Sequence, residues 1–158
     1  MSKKILLNIG KNSKKTFLSS LNTKKKNKEL KDFSKLIKKH KKSILQANQL
    51  DIKNALKKRL KENLIQRLAL NEKKILSIIS SINKIIKLKD PTNFLMEKWK
   101  RPNGLSISKI SIPLGVIAVI YESRPNVTSD VASLCFKAGN PVILKGGSEA
   151  FNSNLIIS

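Results

Sequence analysis

Two short segments toward the end of the chain carry the residue types best suited to chemistry. The first is Glu122-Ser123-Arg124-Pro125-Asn126, which follows an apolar run. Arg124 offers a planar fork of donors for a phosphate or a carboxylate, and Asn126 could donate a hydrogen bond to a developing oxyanion. A plain turn in which Asn126 caps a helix fits the same spacing equally well. The second is Lys145-Gly146-Gly147-Ser148-Glu149, between another apolar run and a helical pattern. Two glycines let the backbone approach a ligand closely, and free N–H groups at a helix start favour an anion. The pattern is neither a phosphate-binding P-loop nor the GxGxxG dinucleotide fingerprint, and a simple strand-turn-helix explains it about as well.

The surrounding residues predict where these segments sit. Gly115–Tyr121 is a continuous apolar run rich in valine and isoleucine, which suits a strand buried on both faces. Thr128 and Asp130 read as the cap and first turn of a helix that carries Val131, Leu134, Cys135 and Ala138 inward and ends at Gly139. Val142–Leu144 is the next buried strand, and Ser148 caps a helix beginning at Glu149. Both segments then lie at the carboxyl ends of neighbouring strands, where open α/β sheets bind ligands. Upstream, Pro102-Asn103-Gly104 is turn chemistry. Leu105, Ile107, Ile110 and Ile112 alternate with polar residues, with a phase slip near Ser108-Lys109 that predicts a bulge or bend in a half-exposed strand.

Residues 1–90 read as helices. Leu30, Phe33, Leu36, Ile37, Ile44 and Leu45 recur at three- and four-residue spacing. Ile75, Ile78, Ile79, Ile82, Ile85 and Ile86 do the same behind Asn71, a candidate N-cap. A weaker series runs through Ile52, Leu56 and Leu60, and Asp90-Pro91 closes the helical region. His40, among four lysines, reads as a solvated side chain, and Trp99 as a cap over a packed surface. No metal-ligand set is expected.

The formal net charge of +23 is unevenly placed. Residues 1–100 hold 28 Lys and Arg against 7 Asp and Glu, and the rest hold 5 against 3. Such a segment binds polyanions non-specifically at low salt through counterion release. Aromatic residues that would stack on bases are almost absent before Phe94, so a solvated lysine-rich face is favoured over a nucleic-acid site. Cys135 is the only cysteine, which suits a reducing, cytoplasmic compartment. The apolar run Ile5–Leu7 is too short for a signal-peptide core, and no stretch is long enough to span a membrane.

Ile112–Thr128 and Gly139–Ala150 resemble the gamma-glutamyl phosphate reductases (glutamate-5-semialdehyde dehydrogenases) of the aldehyde dehydrogenase superfamily. Leu45-Gln46-Ala47-Asn48 with Asp51, Arg67-Leu68-Ala69-Leu70, Leu88-Lys89-Asp90-Pro91 and Arg101-Pro102-Asn103-Gly104-Leu105 fit the same family in order. The resemblance implies an α/β fold: a basic helical segment of the cofactor domain over 1–100, then over 101–158 the first half of a Rossmann-like aldehyde-dehydrogenase cofactor domain. It implies NADPH-dependent reduction of L-glutamyl 5-phosphate to glutamate 5-semialdehyde in proline biosynthesis. In that chemistry a cysteine thiolate displaces phosphate to form a thioester, which hydride then reduces. By the same resemblance Lys145, Gly146, Gly147, Ser148 and Glu149 surround the cofactor, Arg124 binds substrate, and Asn126 occupies the oxyanion segment. A homo-oligomer is compatible with it. The family's nucleophilic cysteine and catalytic domain are expected beyond residue 158, so the short chain alone is expected to be inactive, as a fragment, a short gene product or the product of a decayed gene. The alternative reading is a non-catalytic basic protein that binds nucleic acid.

Overall fold

The computed structural model describes residues 3–17 and 21–158; residues 1, 2 and 18–20 of the expected basic helical segment lie outside the described residues. Among the described residues five helices come first: α1 (Lys3–Phe17), α2 (Thr23–Lys39), α3 (Lys41–Lys57), α4 (Glu62–Leu68) and α5 (Glu72–Lys87). A hairpin of β1 (Leu95–Lys100) and β2 (Ser106–Ile110) follows, then β3 (Ile117–Tyr121), α6 (Pro125–Lys137), β4 (Val142–Gly146), a 3-10 turn (Ser148–Ala150) and α7 (Phe151–Ile157).

Isoleucine spacing builds the core. Ile75, Ile78, Ile82 and Ile85 form one stripe of α5 and meet Leu30 and Ile37 of α2, Ile44 of α3 and Ile157 of α7. Each fully buried isoleucine contributes about 2 kcal/mol. Asn71 caps α5 as its sequence position predicts, its side chain accepting from the Lys74 backbone N–H at 2.8 Å. The expected single run from Leu30 to Leu45 is broken at His40, which is exposed at the junction of α2 and α3. The buried stripe of α2 is Lys26, Leu30, Ser34 and Ile37, so Ser34 and Lys26 take buried places and Leu36 falls beside the stripe and is exposed. Lys26 is tolerated there because its ammonium meets the Asp90 carboxylate at 3.1 Å, with Thr92 beside it.

β1 departs from the sequence expectation. All six of its residues are exposed, so no apolar periodicity marks it, yet it pairs antiparallel with β2. The hairpin therefore straddles residue 100, where the basic composition ends. Trp99 lies opposite Ile107 on this hairpin and is 41% exposed, rather than capping a packed surface. The slip expected near Ser108-Lys109 is a register irregularity between Leu95 and Glu97, the residues opposite Ile110 and Lys109.

β3 and β4 run parallel, with Ile117 opposite Val142 and Tyr121 opposite Gly146. The α6 crossover permits this, because parallel strands need a long connection. The expectation of burial on both faces of β3 does not hold. Its residues alternate, and Ile120 is 76% exposed, because the helices cover only one face of this two-stranded sheet. α6 also begins earlier than Thr128, at Pro125, whose fixed φ suits the first helical position. Its inward face is Thr128, Ser129, Ser133 and Cys135, with Leu134 exposed. Small side chains on that face let α6 lie close to α5. Gly139 ends the helix at φ +72, donating to the Phe136 carbonyl.

Candidate functional site

The parallel register sets the geometry of both chemical segments. Because Tyr121 and Gly146 are opposite one another, the chain leaves β3 and β4 at one edge. Ser123, with a φ of +33, begins the first turn. The second turn grips it: Glu149 accepts from the Ser123 backbone N–H at 2.6 Å and from its hydroxyl at 2.9 Å. Burial opposes ionisation of Glu149, but these hydrogen bonds, one from its own backbone N–H and the charge of Lys58 outweigh it and hold the carboxyl below its usual range.

The two glycines serve the fold itself. A Cβ on Gly146 would overlap the Asn154 amide, and one on Gly147 would overlap the Glu149 carboxylate. Asn154 accepts from the Thr128 hydroxyl at 3.0 Å, and Thr128 is 2.6 Å from the Tyr121 hydroxyl, so the turn is tied to both β3 and α6. Ser148 makes no capping bond and heads a 3-10 turn, whose following helix α7 starts only at Phe151. The N–H groups at the start of α7 already have their anion. Asp51 of α3, 2% exposed, accepts from the Asn152 and Ser153 backbone N–H groups at 3.1 and 2.8 Å and from both side chains. Of the five residues, Lys145 and Ser148 are the two whose side chains are exposed.

Arg124 and Asn126 stand at the start of α6, where Arg124 is the N-cap residue without a side-chain capping bond. They share a cleft of about 570 Å³ with Asn63, Gln66, Arg67 and Lys74 from α4 and α5. The Asn126 amide donates along the helix to Asp130 Oδ2 at 3.1 Å. Lys74 donates to the carbonyls of Gln66 and Ala69, closing the end of α4 while leaving its charge in the cleft. Arg67 and Lys74 carry no spacing signal, because they sit among many basic residues and enter the cleft only through the packing of α4 and α5. Cys135 is buried away from this edge, and burial pushes its thiol up. It lacks the electropositive surroundings that make a reactive thiolate.

Comparison with known proteins follows the same outline. No protein-family model matches the chain. A gamma-glutamyl phosphate reductase from Thermodesulfovibrio yellowstonii is 43% identical over 157 residues, 98% of this chain and 38% of that protein. The crystal structure of the Thermotoga maritima gamma-glutamyl phosphate reductase superposes with a TM-score of 0.92 at 40% identity, covering 96% of this chain and 37% of that one. A probable aldehyde dehydrogenase from Listeria monocytogenes shares the fold at a TM-score of 0.69 and 14% identity, covering 98% of this chain and 32% of its own. The chain thus spans little more than a third of the length of the relatives it matches. None of these supports the nucleic-acid-binding alternative. By sequence and by fold, the chain belongs with the gamma-glutamyl phosphate reductases and corresponds to their N-terminal part.

Proposed function

We propose that this chain supplies the cofactor-facing strand edge and the substrate-facing turn for reduction of L-glutamyl 5-phosphate to glutamate 5-semialdehyde with NADPH, a step of proline biosynthesis. The observation that carries the reading is the in-order match of nearly the whole chain to reductases of that name. NADPH, when bound, supplies hydride. Lys145 and Ser148 are the residues that fit it, because their exposed side chains at the strand edge can meet phosphate or ribose oxygens. Gly146, Gly147 and Glu149 act one step back, holding that turn in shape. Arg124 binds the anionic substrate, and Asn126, whose amide spends one N–H on Asp130, keeps a second for an oxyanion.

The thiolate that attacks the acyl phosphate is not Cys135, given that residue's burial and raised pKa. It belongs to the part of the reductases' length that this chain does not match. No helix among the described residues is long and apolar enough to cross a membrane, and a lone thiol suits the cytoplasm. The test is a fusion of residues 1–158 to the remaining segment of the Thermodesulfovibrio enzyme. The fusion is expected to oxidise glutamate semialdehyde with phosphate and NADP, followed as NADPH absorbance, and Cys135→Ser is expected to leave turnover intact. Turnover abolished by Cys135→Ser would refute this assignment of the thiol, and a folded fusion without turnover would refute the function.

A further inference from the structure

The cleft beside Arg124 carries charge of both signs in a definite arrangement. Arg67 and Arg124 line it, and neither guanidinium has a hydrogen bond or ion pair with a described residue. A recess of about 190 Å³ between α5 and α6 adjoins it, sharing Lys74 and Asn126 with the main cleft. Asp130 lines this recess. One of its carboxylate oxygens accepts from Asn126, while the other, Oδ1, is buried and has no partner. A buried acceptor left without a donor costs free energy, and in a native fold it calls for an explanation. Burial raises the Asp130 carboxyl pKa despite the Asn126 bond, the behaviour of a carboxylate short of a counter-charge. Ser77 and Ser81 of α5 form the facing wall and leave room there.

We propose that this cleft reads the amino-acid head of the substrate, with Arg67 and Arg124 clamping its α-carboxylate and Asp130 Oδ1 accepting from its α-ammonium. The assignment rests on the glutamyl substrate proposed above. An ammonium brings both the donor and the positive charge that Oδ1 lacks, while the paired forks suit a planar carboxylate. The acyl phosphate end fits less well, because its extra negative charge would lie in the same cleft as the Asp130 carboxylate. The head group therefore takes the mixed-charge cleft, and the acyl phosphate extends past Asn126 toward the strand edge.

The test is a titration of the 158-residue chain followed by backbone NMR, with L-glutamate, glutarate (the same diacid without the ammonium) and inorganic phosphate as probes. L-glutamate is expected to shift resonances of Arg67, Arg124, Asn126 and Asp130, and to bind about tenfold more tightly than glutarate, the scale of one charge-assisted hydrogen bond. Asp130→Asn, which preserves shape, is expected to abolish that preference, and Arg67→Ala to weaken both diacids. Glutarate or phosphate binding the same residues as tightly as L-glutamate, or a preference that survives Asp130→Asn, would overturn the proposal. So would a well-dispersed spectrum that millimolar L-glutamate leaves unmoved. Glutamate selectivity in a chain whose fusion lacks turnover would uphold the head-group site and refute the reductase reading. Turnover in the fusion without that selectivity would do the reverse.

Discussion

At the scale of single residues, the side chains that organise the site are those whose partners lie far away along the chain. Asp51 takes four donors from Asn152 and Ser153, about a hundred positions later. Replacing it with alanine leaves the start of α7 without its anion in a buried place, and is expected to cost about 3 kcal/mol, read as a lowered urea midpoint. Asp51→Asn, which keeps one acceptor oxygen, is expected to fall between the two. Gly146→Ala forces the Asn154 amide aside and is likewise expected to destabilise the chain, by about 1–3 kcal/mol as an overpacked position. The sequence made Lys145 through Glu149 visible because glycine and lysine at a strand end are a local signal. It left the use of the glycines open, since whether the Cβ-free space holds a ligand or a side chain depends on Asn154 and Glu149 folding back. Asp130 could be seen as a helix residue, but its unpartnered oxygen follows from the packing of α5 on α6 and has no local signature.

At the scale of elements, polar links join the helices beside the isoleucine core. Lys26 of α2 binds Asp90 just beyond α5, and Lys137 of α6 donates to Asn27 and to the Ile86 carbonyl. Burial opposes ionisation of Asp90, but hydrogen bonds from Thr92, Thr23 and Lys26 outweigh it and hold the carboxyl far below the ordinary range. A depressed carboxyl stabilises the fold above its unfolded pKa of about 4, and that contribution is lost as pH falls toward the folded value. Urea midpoints measured from neutral pH down to about pH 3 are therefore expected to fall, and to fall less steeply in Asp90→Asn, which starts from a lower stability at neutral pH. Equal slopes in the two proteins would contradict the assignment. The elements that sequence pattern predicts well are those with a buried stripe and a cap, such as α5 behind Asn71. β1 escapes notice because its exposed Glu97, Lys98 and Lys100 erase any alternation. The start of α6 is hidden for another reason: Thr128 resembles a cap, yet its hydroxyl is spent on Tyr121 and Asn154.

At the scale of the whole molecule, the described helices support one face of a two-stranded parallel sheet and leave the other bare. Ile120 of β3 is 76% exposed, and Leu114 and Ile112 in the segment leading into it are 89 and 72% exposed. Parallel strands are ordinarily covered on both faces, so the 158-residue chain alone is expected to bind a hydrophobic dye and to exchange the amides of β3 and β4 faster than those of α5. Protection of β3 equal to that of α5 would show the sheet to be self-sufficient. The lysine-rich residues 1–100 are expected to bind DNA without sequence preference, with an affinity that collapses between about 50 and 200 mM salt. The central claim is that cofactor and substrate are held by two different segments at one edge. Its most direct test is the Michaelis constants of the fusion enzyme carrying Lys145→Ala or Arg124→Ala. The account predicts that Lys145→Ala raises the constant for NADP about tenfold and leaves that for the semialdehyde nearly unchanged, with Arg124→Ala doing the opposite. A Lys145→Ala enzyme with an unaltered nucleotide constant, or variants that shift both constants alike, would contradict it.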